Sequence, residues 1–326
     1  MHSRRSAWRK TGAVILGTAA IVAAPAGAAM AATAPRGDDL SPATRAHLND
    51  AIQGEAFASA KYRAYGEQAA QEGLPKVREL FDRTADTELR EHLTEQAKLT
   101  GLVGDNAANL RRSIGGESYE TSKMYRDFAK QAKADGERKA ARLFTEIGRD
   151  EAGHRARFAK ALKAVTAPAA GVTVPTDVTV KPVRIKAGPP QVSARRTLEN
   201  LRTALRGEAL ASAKYTLYAD RARQTDQPEL ATLFDRTAGI ERTEHFAEQA
   251  ELAGLVRDTR TDLRTAVAGE KQEGERMYPG YARQAEADGD RKAAEVFADT
   301  ARDELKHSAA FADALSGLQG QGSGTD

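Results

Sequence analysis

The 326-residue sequence contains no cysteine. This absence excludes disulfide bonds, zinc sites with thiolate ligands and any iron–sulfur or other thiolate-bound electron centre in the chain. Histidine is scarce, with six residues. Proline is almost missing from two long segments rich in Ala, Glu, Lys, Arg and Leu, and this composition is typical of helices.

A clustered basic surface is also lacking. The formal charge of +3 depends on Arg4, Arg5, Arg9 and Lys10, four cations in the first ten residues, which contain no acid. The remaining chain is close to neutral and its charges are interspersed. Because a nucleic-acid surface requires a clustered basic face, we expect no nucleic-acid partner.

Residues 1–31 are predicted to be an export signal. A basic start precedes an apolar stretch from 13 to 29, and Ala-Met-Ala at 29–31 is a suitable cleavage site. Ser3-Arg4-Arg5 resembles a twin-arginine leader, and an ordinary secretory leader is the alternative. We therefore expect an exported protein, extracytoplasmic or secreted, with no membrane span once the signal is removed.

The rest of the chain is a tandem repeat with a constant offset of 153 residues. Half of the 110 aligned positions from 51 to 160 are identical, without insertion or deletion. Repeat 1 covers 43–165 and repeat 2 covers 196–318, each long enough for its own core. A proline-rich linker, 166–192, separates them, and the tail at 319–326 is predicted to be disordered.

Turn signals divide repeat 1 into four helices at about 43–71, 75–100, 105–134 and 137–163, and repeat 2 follows the same division. Four long helices with short connections predict a four-helix bundle. The expected fold class is therefore all-α, with two four-helix bundles.

Every predicted helix has acids at positions where the core pattern requires apolar residues. On the fourth helix, for example, Glu151 and His154 lie between Ile147 and Phe158. Burial of several ionised carboxylates is costly unless protons or cations neutralise them, and two metal ions would do so. The alternative is that these residues are exposed or paired with Lys and Arg. The candidate metal ligands are the acids and histidines that recur at the 153-residue offset. They are Glu55, Glu88, His92, Glu117, Glu120, Glu151 and His154 in repeat 1, and Glu208, Glu241, His245, Glu270, Glu273, Glu304 and His307 in repeat 2.

Several motifs resemble the rubrerythrin branch of the ferritin-like superfamily. They are Gly54-Glu55, Gly116 to Glu120 followed by Met124-Tyr125, and Glu151-x-x-His154, with Gly269 to Glu273, Met277-Tyr278-Pro279 and Glu304-x-x-His307 in repeat 2. The resemblance implies ferritin-like bundles in which the fourteen residues above bind iron, two ions per site at two sites. Manganese is an alternative metal. Family members reduce hydrogen peroxide or oxidise ferrous iron at such sites.

Two departures from the family pattern are present. The second helix has Glu88-x-x-x-His92 and Glu241-x-x-x-His245, where the family has Glu-x-x-His, so Glu91 or Glu95 could share ligation. The chain also lacks the rubredoxin-type iron domain of many rubrerythrins. Any sustained reduction of peroxide or oxygen therefore requires an external electron donor.

The short connection between the second and third helices restricts the topology. Four residues, 102–105, span at most about 14 Å, far less than the length of these helices. Each repeat is therefore either an up-down-up-down bundle or half of an exchanged pair, a pseudo-dimer within one chain. We favour the exchange, in which Glu55, Glu88 and His92 join Glu270, Glu273, Glu304 and His307.

Three functions are compatible with the sequence. The first is a di-iron oxidoreductase of peroxidase or ferroxidase type. In it, Glu88 and Glu120 or their neighbours bridge the irons, and Glu117 changes position on oxidation. A tyrosine outside the ligand set, Tyr62, Tyr215 or Tyr119, assists the reaction. The second is a metal-binding protein or ferroxidase without a catalytic cycle. The third is a helical cell-envelope interaction module with vestigial sites.

Overall fold

The computed structural model describes residues 40–321, and within this range helices are the only regular secondary structure, which confirms the predicted all-α fold class. The eight long helices are α1 (Pro42–Gln71), α2 (75–100), α3 (106–134), α4 (Arg138–Thr166), α5 (Arg195–Gln224), α6 (228–253), α7 (259–287) and α8 (Arg291–Gln321). The predicted export signal lies outside the described residues. Helix α8 extends into the first residues of the predicted tail, and the remainder of that tail is also outside the described range. Between residues 40 and 321, none of the helices combines the length and the apolar character needed to cross a bilayer.

Local side-chain chemistry sets the helix boundaries. The hydroxyl of Ser41 accepts a hydrogen bond from the Thr44 backbone N–H at 3.0 Å, and Pro42 occupies the first turn, where no backbone donor is needed. Asp105 and Asp258 cap α3 and α7 in the same way. Gly101 ends α2 in the left-handed conformation, at φ 63°, which glycine adopts without steric cost.

Four of the helices contain a five-residue π-helical turn. In α2, the backbone N–H of Leu93 donates to the carbonyl of Glu88, an i to i+5 bond that accommodates one more residue per turn than an α-helix. Each of the four turns begins at a glutamate that the sequence predicts to be a metal ligand. The turns are Glu88–His92 in α2, Glu120–Met124 in α3, Glu241–His245 in α6 and Glu273–Met277 in α7.

The helix pairs are exchanged between the two repeats. Tyr62 of α1 packs in one core with Leu263 of α7 and Phe311 of α8. Phe158 of α4 packs likewise with Tyr215 of α5. Helices α1, α2, α7 and α8 therefore form the first bundle, and α3, α4, α5 and α6 form the second. The exchanged topology is the one observed, because the short α2–α3 connection leads the chain out of one bundle and into the other.

A further core joins the two bundles. Ile52 of α1 and Leu89 of α2 pack with Leu205 of α5 and Phe246 of α6. Accordingly, the described residues, 40–321, group as one compact unit and not as two separate repeats. Each repeat thus contributes half of each bundle.

The linker, residues 167–194, is named the strap here. Apart from a short 3-10 turn at Pro168–Ala170 it is extended, as its proline content predicts, and backbone hydrogen bonds hold it along α6. The backbone N–H of Val183 donates to the carbonyl of Thr243 at 2.7 Å, and that of Gln191 donates to Leu252 at 2.9 Å. Val178 and Val192 of the strap are themselves buried.

Candidate metal centres

Each bundle contains one cluster of glutamates and histidines at its centre, and every cluster draws on both repeats. The first centre consists of Glu55, Glu88 and His92 from repeat 1 with Glu270, Glu304 and His307 from repeat 2. The second centre consists of Glu117, Glu151 and His154 from repeat 1 with Glu208, Glu241 and His245 from repeat 2. Apart from the partly buried His307, all twelve residues are buried.

Each cluster contains two overlapping groups of four ligand atoms that lie within 4.8 Å of one another. In the first centre both groups include Glu88 and Glu304; in the second, both include Glu151 and Glu241. Two adjacent ions would suit this arrangement, because each shared carboxylate belongs to both ligand groups. The expected bridging pair of Glu88 and Glu120 is wrong, because the exchange places these two residues in different bundles.

The π-helical turns compensate for the unusual Glu-x-x-x-His spacing. Nδ1 of His92 lies 2.8 Å from Oε2 of Glu88, four residues earlier, within a π-helical turn. Nδ1 of His154 lies 2.9 Å from Oε2 of Glu151, three residues earlier, in the regular helix α4. The π-helical turn is wider and accommodates the additional residue. Glu-x-x-x-His in a π-helical turn and Glu-x-x-His in an α-helix therefore place the Glu and His side chains at the same distance.

A tyrosine from the other repeat supports each of the four unshared glutamates. Tyr278 donates to Oε1 of Glu55, and Tyr62 donates in return to Oε1 of Glu270. The second centre has the equivalent pairs Tyr125 with Glu208 and Tyr215 with Glu117. In each case the other oxygen, Oε2, faces the histidines, 3.6 to 3.9 Å from the nearest Nδ1.

Other supporting residues were not identified from the sequence. The buried Gln249 donates from Nε2 to the Tyr125 hydroxyl at 2.9 Å, and Gln96 occupies the same position in the first centre. Nε2 of His92 points outward, 3.7 Å from Oδ2 of Asp303, as Nε2 of His245 does towards Asp150. The only available signal was that Gln96 and Asp150 recur at the 153-residue offset.

Some predicted site residues lie outside the ligand groups. Glu120 and Glu273 are close to the centres, and burial together with Glu270 raises the pKa of Glu273 to about 7. Glu91 and Glu95, considered as substitutes for Glu88, are exposed. Tyr119 is 53% exposed, so it cannot assist a buried site.

Burial and mutual repulsion perturb the ionisation of both centres. Burial, reinforced by Glu304 and Glu88, raises the pKa of Glu55, and burial with Glu151 raises that of Glu117. Burial lowers the pKa of His154, but the carboxylate of Glu241 outweighs it and the pKa rises to about 10. The centres therefore hold more negative charge than their imidazoles can balance.

The ligand sets fit a pair of divalent cations. Oε1 of Glu88, Oε1 of Glu304 and Oε2 of Glu270 are buried without a hydrogen-bond partner, as are equivalent oxygens of the second centre. Buried polar atoms without partners are rare in proteins unless an ion or water satisfies them. Imidazoles that bind a metal are neutral, so the four carboxylates of each ligand set would then carry a charge of −4, which two divalent ions would balance. Oxygen and nitrogen ligands of this kind suit ferrous iron.

The model of the family Rubrerythrin matches residues 47–93, 87–162 and 239–315, more than half of the chain. The chain belongs to the rubrerythrin family. It is 33% identical over 128 residues to rubrerythrin of Nitratidesulfovibrio vulgaris, which covers 35% of this chain and 66% of that protein. It is 33% identical over 138 residues to nigerythrin of the same organism, covering 38% of this chain and 68% of the relative.

A putative rubrerythrin of Methanocaldococcus jannaschii is 34% identical over 144 residues, covering 37% of this chain and 70% of the relative. The matches to these curated relatives therefore span about two thirds of the relatives' own length. No solved structure matches the chain significantly. Membership of the rubrerythrin family supports a di-iron protein, and the two Glu/His clusters are where its ions would bind.

Proposed function

We propose that this rubrerythrin-family protein is an exported oxidoreductase that reduces hydrogen peroxide at two di-iron centres with electrons from an external donor. The observation that supports it most strongly is the pairing of the ligand groups. Two four-ligand groups share two carboxylates in each centre, which suits two ions that act together on one small oxidant. The same arrangement occurs in both bundles.

Reduction of one peroxide molecule to two waters requires two electrons and two protons, and a pair of ferrous ions bound by these residues would supply the two electrons. The protein holds the ligands in a dry environment. Tyr62 packs against Phe81 and Phe311, so water is excluded beside Glu270. Burial and the nearby carboxylate of Glu270 raise the pKa of Tyr62, so its hydroxyl retains its proton and orients Oε1 of that glutamate.

A ferroxidase is the second candidate function. Since the chain contains no cysteine, it has no thiolate-bound electron centre to restore the reduced state. Without a donor, each centre oxidises its ferrous iron once and stops. Consumption of peroxide in proportion to bound iron would indicate this function, whereas consumption of many equivalents would indicate a peroxidase.

The test uses the purified, iron-loaded full chain with peroxide and an excess of a chemical reductant. We expect many turnovers per centre, with loss of activity in a Glu88→Gln, Glu241→Gln double variant, which changes one shared ligand in each centre. Glu91→Gln is the matched control, because Glu91 lies on the same helix as Glu88 but is exposed. Stoichiometric consumption with every reductant tried would contradict the peroxidase proposal.

A further inference from the structure

A groove of about 970 Å³ opens between α1, α6 and the strap, away from the ligand groups. We call it the strap groove. Ala60 and Ala64 of α1 line one wall, Phe246 of α6 lines another, and residues 182–185 of the strap close the third side. Its volume is within the range of small-molecule sites in proteins.

Four arginines but only two carboxylates line the strap groove. The two carboxylates, Glu67 and Asp82, both form ion pairs with Arg78, at 3.0 Å and 3.3 Å. The other three arginines, Arg63, Arg184 and Arg242, receive no compensation from the residues that line the groove. The groove therefore has an excess of positive charge.

Arg242 and Arg63 contain the unsatisfied donors. Arg242 is partly buried and makes no hydrogen bond or ion pair with any residue from 40 to 318. Arg63 pairs with Asp86 through Nη2, but its Nε is buried without a partner. An unpaired, partly desolvated cation is costly, and an anion beside it would remove that cost.

The internal repeat shows that the fold itself does not require these arginines. The equivalent surface on the opposite side lies between α5 and α2, where Thr216 and Leu89 replace Arg63 and Arg242. There Leu89 is buried in the core between the bundles, and the nearby Arg90 is paired with Asp220. Among these equivalent positions, only the side covered by the strap has arginine donors that the described residues leave unsatisfied.

We propose that the strap groove binds a small organic molecule that bears a phosphate group. The phosphate contacts the guanidinium groups of Arg242, Arg63 and Arg184, because a dianion with three oxygens satisfies more donors than a carboxylate does. The apolar part of the molecule lies against Phe246, Ala64 and Val256. This site is independent of the metal chemistry proposed above.

Titration of the metal-loaded full chain with flavin mononucleotide and with riboflavin tests the proposal, since the two probes differ only by the phosphate. Binding is measured from the change in flavin fluorescence. We expect flavin mononucleotide to bind at least roughly tenfold more tightly than riboflavin, and inorganic phosphate to compete with it. The preference should weaken as the salt concentration increases.

Two variants take their residue from the other repeat, so the fold is expected to tolerate them. Arg242→Leu and Arg63→Thr should each weaken binding of flavin mononucleotide by roughly tenfold or more and leave riboflavin unaffected. Arg90→Ala, on the opposite side, is the control and should change neither. Equal affinity for the two flavins, binding of neither, or full affinity in Arg242→Leu would overturn the proposal. Phosphate competition on the unchanged protein gives the answer even if a variant fails to fold.

Discussion

The hydroxyl of Tyr278 in α7 donates a hydrogen bond to Glu55 in α1, although the two residues are 223 positions apart in the sequence. The second centre repeats the relationship with Tyr125 and Glu208. In both bundles the residue that supports a ligand comes from the repeat that does not provide that ligand. The repeats are therefore interdependent at the level of single hydrogen bonds.

Tyr278→Phe should weaken the first centre and leave the second unchanged. The substitution leaves Oε1 of the buried Glu55 with only Nε2 of Gln96, at 3.5 Å. We expect the metal-free protein to lose about 1–3 kcal/mol of unfolding free energy in urea, and iron titration to show weaker binding to half of the sites. Tyr119→Phe, at an exposed tyrosine, is the control; an equal effect in both variants would contradict the supporting role.

Paired substitutions test whether each centre needs both repeats. Glu88→Ala with Glu304→Ala changes two repeats but a single centre, so the iron content should fall by half. Glu88→Ala with Glu151→Ala changes only repeat 1 but affects both centres, so nearly all bound iron should be lost. Metal analysis after reconstitution measures both. The opposite pattern would show that each repeat binds its own ions.

Asp262→Asn should stabilise the protein at neutral and alkaline pH. Burial raises the pKa of Asp262 to about 7, although its Oδ1 accepts a hydrogen bond from the backbone N–H of Arg257 at 3.0 Å. A carboxyl whose folded pKa is raised binds its proton more tightly in the folded state. Stability therefore falls as the pH rises from about 4 to about 7, and the loss persists above that range.

The repeat provides a guide for this substitution, because Asn109 occupies the equivalent position and accepts from the Gly104 N–H at 2.8 Å. We expect Asp262→Asn to gain roughly 1–3 kcal/mol at pH 8 and little at pH 4. Urea unfolding of the metal-loaded proteins at the two pH values measures the difference. A gain that is the same at both pH values would show that titration of Asp262 is not its cause.

Gly239→Asp should detach the strap from α6. A Cβ at Gly239 would lie 3.2 Å from Cγ2 of Val180, so a longer side chain there displaces the strap. Repeat 1 has Asp86 at the equivalent position, so the helix itself accepts the change. We expect trypsin to cut faster in the variant after Arg184, an exposed residue of the strap that is followed by Ile185.

Gly280→Asp is the matched control for the strap. Repeat 1 has Asp127 at that position, and a Cβ at Gly280 meets nothing within 4 Å. Its rate of cleavage after Arg184 should equal that of the unchanged protein. Similar cleavage rates in all three proteins would show that Gly239 is not needed for docking.

Much of the fold and of the ligand set could be predicted because the evidence is local or repeated. Proline and glycine turn signals place the helix ends within a few residues of 71, 75, 100 and 134. The 153-residue offset singled out Glu55, Glu88 and His92 together with their counterparts. The expected bridging role of Glu120 failed because bridging depends on which helices face each other, and this is not a local property.

The sequence by itself determined the all-α class, the eight helices, the tandem organisation and the residue types of the centres, because periodicity, capping and turn residues act over short distances. Only the tertiary structure decided that α1 and α2 share a core with α7 and α8, that Glu304 is shared with Glu88, and that Tyr278 supports Glu55. It also placed Arg63 beside Arg242 under the strap. These relationships come from packing between segments far apart in the chain, where a short connection and a buried interface select one arrangement among several.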